Sequence, residues 1–396
     1  MTLQGLKYSH KLLYRFLIYF RTKIIKGLYI VGGIIFKTDK KKAIFISFGG
    51  KSYSCNPRAV SEELHKMAPE FNIIWLFNNA REKKKIVPEY IQCVEVHTLR
   101  AFLEQLKACF WIDNACKPIT THKKHDQIYI QLWHGDRGFK KILYDSPKLK
   151  PDDYFIEQDI CDLMLSGSKF FNQIIDSAFK YKGEILQVGS PRNDLLLHHF
   201  SNDVIDIKKT LDLSIDEKVF MYAPTYRRFS AGKEQELGDI DLELTLNVLE
   251  NKTKKKWRCL VRAHSSVKGF ANFKQNNSHI IDVTKYEDMR DLLLITDLLI
   301  TDYSSSAGDF ALLKRPIILF QPDRERYLQE DRTFYFDIDT SPFTVVFNQE
   351  ELNTAIQELD EEKTKEQCEK ILKFYGTFET GHAAKSVIEY ILSKSK

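Results

Sequence analysis

The chain has 396 residues, more than one ordinary hydrophobic core supports, so about two domains are expected. Hydrophobic content of 43% and charged content of 29% sit in the globular range, and 59 basic against 54 acidic residues do not make a polycation, so no nucleic-acid partner is expected. Seven scattered cysteines with no Cys-x-x-Cys argue against a disulfide framework or a structural zinc site.

The basic charge gathers at the start. Residues 1–38 hold Lys7, Lys11, Arg15, Arg21, Lys23, Lys26 and Lys37 and no acid. Lys7, Lys11 and Arg15 share one helical face, while Leu6, Leu13, Phe16, Leu17, Phe20 and Ile24 form an apolar stripe. This predicts a basic amphipathic helix within 1–40 that lies on an anionic membrane surface. The apolar run 28–36 is far short of the ~20 residues a spanning helix needs. The charges run through the segment and no small-residue cleavage site follows Phe36, which argues against a secretory signal.

From residue 43 the pattern becomes strand, loop, helix, strand, the grammar of an open parallel sheet. Strands are predicted at 43–48, 71–77, 109–115, 127–135 and 185–194, with helices at 61–68 (Ser61 as N-cap) and 98–108. A polar, broken stretch at 198–217 marks the change of half. The second half repeats the pattern with strands at 218–228, 257–266, 279–284, 298–301 and 316–320. Helices are expected at 241–252, 289–296 and 307–314, with further helix to the C-terminus. The expected architecture is α/β: two doubly wound domains facing a cleft. The division is 1–40 membrane-surface segment, 41–205 and 206–375 for the two domains, and 376–396 for a C-terminal helix.

Ligands of such sheets bind at the carboxyl ends of strands, so the strand-end residues are the informative ones. They are Trp133-His134-Gly135, Arg192-Asn193-Asp194, Thr225-Tyr226-Arg227-Arg228, Arg262-Ala263-His264 and Asp302-Tyr303-Ser304-Ser305. Ser304, Ser305 and Ser306 at a helix start either cradle a phosphate or simply cap the helix. Arg192, Arg227, Arg228 and Arg262 follow four apolar strands, and arginine is the side chain best shaped for bidentate phosphate contact. His134 and His264, one per half, are candidates for general base and phosphate contact. Asp302 can orient a histidine or a hydroxyl, and Asp309 is the other nearby acid. No ligand spacing for a metal is present, and neither GxGxxG nor GxxxxGK[ST] occurs.

The blocks CNPRAVSEEL (55–64), LWHGDRGFKK (132–141), GSPRNDLL (189–196), YAPTYRR (222–228), RAHS (262–265) and 282–327 occur in the order of the CDP-glycerol glycerophosphotransferase family, which this chain resembles over roughly 44–375. The resemblance implies a Rossmann-like pair in a glycosyltransferase-B-like (GT-B) arrangement, with a CDP-glycerol or CDP-ribitol donor held mainly by the second half. It implies transfer of a polyol phosphate to a lipid-linked saccharide or a growing teichoic-acid or capsule polymer, with release of CMP. On this resemblance His134 and His264 match two essential histidines. Arg192, Thr225, Arg227, Ser304 and Ser305 match donor-phosphate contacts. A peripheral location on the cytoplasmic face of the membrane is also implied. No obligatory cofactor is expected, though Mg2+ can ride on the donor diphosphate. Three departures bear on the polyol and the acceptor: Asp136-Arg137-Gly138-Phe139-Lys140 where Thr-Pro-Leu-Lys is usual, Ser265 where proline is frequent, and Arg332-Thr333-Phe334-Tyr335 for an RGFY-like motif. The rival readings are a nucleotide-sugar glycosyltransferase and a non-catalytic scaffold of a polymer-assembly complex.

Overall fold

A computed structural model of the chain describes residues 11–149, 154–227, 240–263 and 278–396. Among the described residues thirteen strands form two sheets. The first comprises β1 (Asp39–Ile46), β2 (Asn72–Phe77), β3 (Gln92–Glu95), β4 (Ala108–Asp113), β5 (Ile128–Gln131), β6 (Leu163–Ser166) and β7 (Glu184–Gln187), in the order β3-β2-β1-β4-β5-β6-β7. The second comprises β8 (Lys218–Ala223), β9 (Trp257–Val261), β10 (Ile280–Asp282), β11 (Leu298–Thr301), β12 (Ile317–Phe320) and β13 (Thr344–Val346), in the order β10-β9-β8-β11-β12-β13. Every pairing given for these strands is parallel. Helices cover both faces, which is why central strands such as Asn72–Phe77 and Leu298–Thr301 read as unbroken apolar runs.

The helices that position the site are α1 (Lys11–Ile35), α2 (Cys55–Met67), α3 (Met289–Ile295), α4 (Ser306–Phe310) and α5 (Ala383–Lys394). Two sequence expectations are corrected. The helix placed at 61–68 begins at Cys55, and Ser61 is buried inside it, donating to the Arg58 carbonyl. The broken stretch 198–217 contains a helix, Ser201–Thr210. Strands β3, β6 and β13 were not expected. The C-terminal helix α5 returns to the first sheet, where Val387, Ile388 and Ile391 complete the core around Phe45, Trp75 and Phe110.

In each sheet the strand order reverses once, at β1/β4 and at β8/β11. The loops leaving those strands face each other, and two buried ion clusters hold them together. In the first cluster, Asp309 of α4 lies between two arginines of the N-terminal half. Arg192 reaches it through Nε (3.0 Å) and Nη2 (2.9 Å), and Arg137 through Nη2. Arg137 also pairs with Glu379 (2.7 Å) and Arg192 with Asp136 (3.3 Å), while Asn193 donates to both Asp309 (3.1 Å) and Glu379 (2.8 Å). In the second, Arg58 of α2 meets Asp288 (3.3 Å) and Asp291 (3.1 Å), Arg290 meets Glu62 (3.1 Å), and Glu287 accepts from the Tyr53 amide and Lys83 (both 2.5 Å).

Burial works to raise the pKa of Asp309, but Arg192 and Arg137 hold it below the ordinary carboxylate range. Removing one member of such a cluster strands the opposite charges in the interior. Asp309→Ala is therefore expected to cost about 3–5 kcal/mol of stability in urea unfolding. Glu379 behaves oppositely: burial, against Arg137 and with Asp136 adding, pushes its carboxyl up to about 7. Between the unfolded value of about 4.3 and this value the native chain binds the extra proton, so stability falls as pH rises through that window. Unfolding at about pH 5 and about pH 8 checks this: Glu379→Gln should abolish most of the loss.

Candidate functional site between the two sheets

The first wall is built where β1 and β4 end. The chain leaves β1 through Phe48 (φ 47°), Gly49 (φ 67°) and Gly50 (φ 87°), a left-handed run that turns it sharply toward α2. Asn114, fully buried at the end of β4, holds that turn. Its Oδ1 accepts from the Phe48 amide (2.8 Å) and its Nδ2 donates to the Ser47 hydroxyl (3.2 Å). The position of Asn114 is in turn fixed by Asp113, whose Oδ1 accepts from the Asn114 (2.7 Å) and Ala115 (3.0 Å) amides and whose Oδ2 pairs with Lys117 (2.6 Å).

His134 follows β5 in this wall. Its ring is half-buried between Phe48, 5.1 Å away between centroids, and Trp133, 4.4 Å away. Nδ1 lies 2.6 Å from the Asn114 carbonyl oxygen. A carbonyl only accepts, so the neutral ring carries its proton on Nδ1, and Nε2 is the acceptor nitrogen. That is the tautomer a general base needs.

The second wall is built where β8 and β11 end. Asp302, 1% exposed, is its centre. It accepts from the Thr225 amide (2.9 Å), the Thr225 hydroxyl and the Tyr303 amide (2.5 Å), and pairs with Arg227 (2.8 Å). Arg227 in turn binds Asp323 through Nε (2.7 Å) and Nη2 (3.1 Å) and lies over the rings of Tyr303 (4.9 Å) and Tyr327 (5.1 Å). Asp302 thus orients a hydroxyl, that of Thr225, and its oxygens are taken by protein donors. In the serine turn, Ser304 Oγ accepts from the Ser306 amide (3.3 Å) and hydroxyl (2.9 Å), so local capping is realised at that residue. Helix α4 has only five residues, too few to add a useful macrodipole.

The walls touch. A β-carbon on Gly135 would lie 3.3 Å from Ser305 Oγ, one on Gly138 3.3 Å from Ser305 Cβ, and one on Gly308 2.6 Å from Arg137 Cβ. Glycine at these positions lets the His134 loop sit directly on the serine turn. Of the residues singled out in the sequence, His134, Thr225, Arg227, Asp302, Ser304, Ser305 and Ser306 line this junction. Arg192 stands behind it, held by Asp309 and Asp136. Arg262 donates to the carbonyls of Val283 (3.2 Å) and Tyr286 (3.0 Å), tying β9 to the loop before α3. His264, Arg228 and Ser265 lie outside the described residues. Sequence reasoning missed Asn114, Asp323 and Tyr327; Asn114 alone carried a signal, as a polar residue closing an apolar strand. Among the described residues no group of three or more His, Cys, Asp or Glu side chains is placed to hold a metal ion.

A sequence model of the CDP-glycerol:poly(glycerophosphate) glycerophosphotransferase family matches residues 30–393. The chain is 30% identical over 399 residues to a teichoic acid poly(glycerol phosphate) polymerase of Bacillus spizizenii, covering 96% of this chain and 99% of that protein. It is 32% identical over 386 residues to a teichoic acid glycerol-phosphate transferase of Staphylococcus aureus, covering 92% and 96%. Against the Bacillus subtilis poly(glycerol phosphate) polymerase it is 32% identical over 355 residues, 85% of this chain, and spans 46% of that longer protein. The solved structure of the wall teichoic acid polymerase TagF superposes with a TM-score of 0.81 at 26% identity, covering 100% of this chain and 98% of that one.

The Asn114 carbonyl contact carries a prediction readable by nitrogen NMR of the imidazoles. Neutral His134 should be mainly Nδ1-protonated in the wild-type chain. Asp113→Ala removes the carboxylate that fixes the Asn114 and Ala115 main chain, and with it the placement of this carbonyl. The loss of one hydrogen bond of about 1 kcal/mol should shift the tautomer ratio toward Nε2–H by about fivefold.

Proposed function

This chain belongs to the CDP-glycerol:poly(glycerophosphate) glycerophosphotransferase family, and on that premise we propose that it moves a polyol phosphate, glycerol phosphate first, from a CDP-polyol to a hydroxyl of a membrane-linked saccharide or a growing teichoic-acid or capsule polymer. The observation that carries the reading is the junction itself. A histidine with an acceptor Nε2, from one half, sits one residue from Gly135, which abuts Ser305 of the other half.

In this reading the acceptor hydroxyl gives its proton to His134 Nε2 as its oxygen attacks the phosphorus bearing the polyol. The new P–O bond forms, the bond to the CMP oxygen breaks, and CMP leaves with its electron pair. The serine turn, Thr225 and His264 are the assigned contacts of the donor phosphates. Arg227 and Arg192 act mainly through Asp302 and Asp309, which set the two walls. Positioning and electrostatics dominate phosphoryl transfer, so this division of labour suffices. Asp302, Asp323 and Asp136 are taken by protein donors, so Mg2+ enters only as a counter-ion of the donor diphosphate.

The two parallel sheets, each reversing order once with the reversal points opposed, support a Rossmann-like pair of GT-B-like arrangement, divided at about 205/206 as in the sequence reading. The donor then lies on the second-sheet side, by the rule that ligands bind at such reversal points.

CMP release from CDP-glycerol and CDP-ribitol, offered in parallel with a saccharide-lipid acceptor, tests the function. CMP from one donor is expected, with His134→Ala slower by about 10²–10⁴-fold. Nucleoside diphosphate released from a nucleotide sugar, with no CMP from either donor, would instead establish the glycosyltransferase reading.

The same reading puts the enzyme on the membrane surface. Along α1, Phe16, Tyr19, Phe20, Ile24, Leu28 and Val31 are exposed together with Arg21, Lys23 and Lys26, while Tyr29 packs onto Phe102 at 4.9 Å and anchors the helix to the first sheet. Among the described residues no helix is long and apolar enough to cross a membrane. The chain should sediment with vesicles containing anionic lipid and lose most of that binding when Phe16 and Phe20 are changed to Ser.

A further inference from the structure

We propose that Lys140, supplied by the N-terminal half, is the side chain that pairs with a phosphoryl anion at the serine turn of the other half. It thereby sets how tightly the donor is held. The inference deepens the transferase reading and rests on it for the identity of the anion.

Three observations carry it. Lys140 is half-buried, yet its ammonium makes no hydrogen bond or ion pair with any described residue. Several other enclosed lysines are matched: Lys117 pairs with Asp113 (2.6 Å), Lys83 with Glu287 (2.5 Å), and Lys208 donates to the carbonyls of Ile215 (2.8 Å) and Glu217 (2.6 Å). A half-buried lysine with no counter-charge in contact is partly desolvated, and a ligand anion is the group that would supply the charge.

Its placement says which ligand. Lys140 forms an isolated antiparallel bridge with Phe334, flanked by hydrogen bonds from the Tyr335 amide to the Phe139 carbonyl and from the Lys141 amide to the Thr333 carbonyl (both 2.8 Å). Two residues earlier, Gly138 lies against Ser305. The charged groups facing Lys140 are Asp302, Arg332, Arg227 and Asp331. Asp302 is already saturated by Thr225, Tyr303 and Arg227, and Asp331 sits beside Arg332 at 3.9 Å. Arg227 is engaged by Asp302 and Asp323, and Arg332 by Asp331 and the Lys141 carbonyl, so among the described residues Lys140 is the cation of this group with no carboxylate in contact.

The electrostatics agree. Burial, opposed by Asp302 and reinforced by Arg332 and Arg227, pulls the Lys140 ammonium down to about 8. Without ligand the site holds its charge at a cost, and a bound phosphate relieves it. Lys140 comes from the N-terminal half, and its main chain pairs with Phe334 of the other half.

The test uses the full chain, with Lys140→Met and Lys140→Arg beside the wild type. Thermal unfolding is followed with no addition, with CDP-glycerol, with CDP-ribitol and with inorganic pyrophosphate, and CMP release gives KM and kcat. Lys140→Met should be at least as stable as the wild type without ligand. It should bind the preferred CDP-polyol about 10- to 100-fold more weakly, mostly in KM, the loss expected for one charged contact. Lys140→Arg should recover part of that loss. Donor-induced stabilisation of the wild type should fall off above about pH 8, and that of Lys140→Met should not change there. Equal donor binding by wild type and Lys140→Met overturns the inference and leaves the transferase reading standing, as does a ligand-free Lys140→Met less stable than the wild type. If neither CDP-polyol stabilises the wild type but pyrophosphate does so only when Lys140 is present, the anion site stands and the donor assignment falls.

Discussion

Asp309 sits between Arg137 and Arg192, and the geometry of the cleft follows from that contact. A carboxylate with no exposure to speak of must be matched where it is buried, and its two matches come from the opposite half of the molecule. Meeting them fixes helix α4 against the loop that follows β5. Gly308 then packs on Arg137, Gly135 and Gly138 pack on Ser305, and His134 arrives opposite the serine turn. The ion cluster thus does its work one layer behind the chemistry, where a shift of 1 Å is expected to matter about a hundredfold.

The second cluster, around Arg58, Glu62, Asp288 and Arg290, crosses the cleft at another point, so the halves are held at two charged contacts as well as by apolar packing. Charged contacts are directional. They hold the two halves in one relative position more strictly than apolar packing alone would.

Much of this was legible in the sequence. Buried parallel strands read as apolar runs, and Leu298–Thr301 is observed as expected. The missed strands are short or lean polar: Gln92–Glu95 is an edge, and Thr344–Val346 has three residues. Strand-end logic brought out His134, Thr225, Arg227 and Asp302, which the structure places together at the junction, because these side chains sit where apolar runs stop. It could not find their partners. Asp309 pairs with residues 117 and 172 positions away, and no periodicity or spacing records such a pairing. It also gave Arg192 and Arg262 the same weight as Arg227, because an arginine after a strand looks alike whether it faces a ligand, a carboxylate or a carbonyl. Lys140 entered the sequence reading only as part of the Asp136–Lys140 departure, because a lysine beside another lysine in a loop reads as solvent-facing and its pairing with Phe334, 194 positions away, leaves no trace in spacing.

The return of helix α5 to the first sheet has a consequence for how the molecule is made. Val387, Ile388 and Ile391 are fully buried among residues from positions 43 to 165. The first sheet therefore closes its core only with residues that follow the whole second sheet in the chain, and its apolar face must be shielded while that sheet is translated. Order of synthesis and order of completion thus differ: the sheet begun first closes only after the second has been made, so losing helix α5 would be felt in strands more than 200 residues earlier.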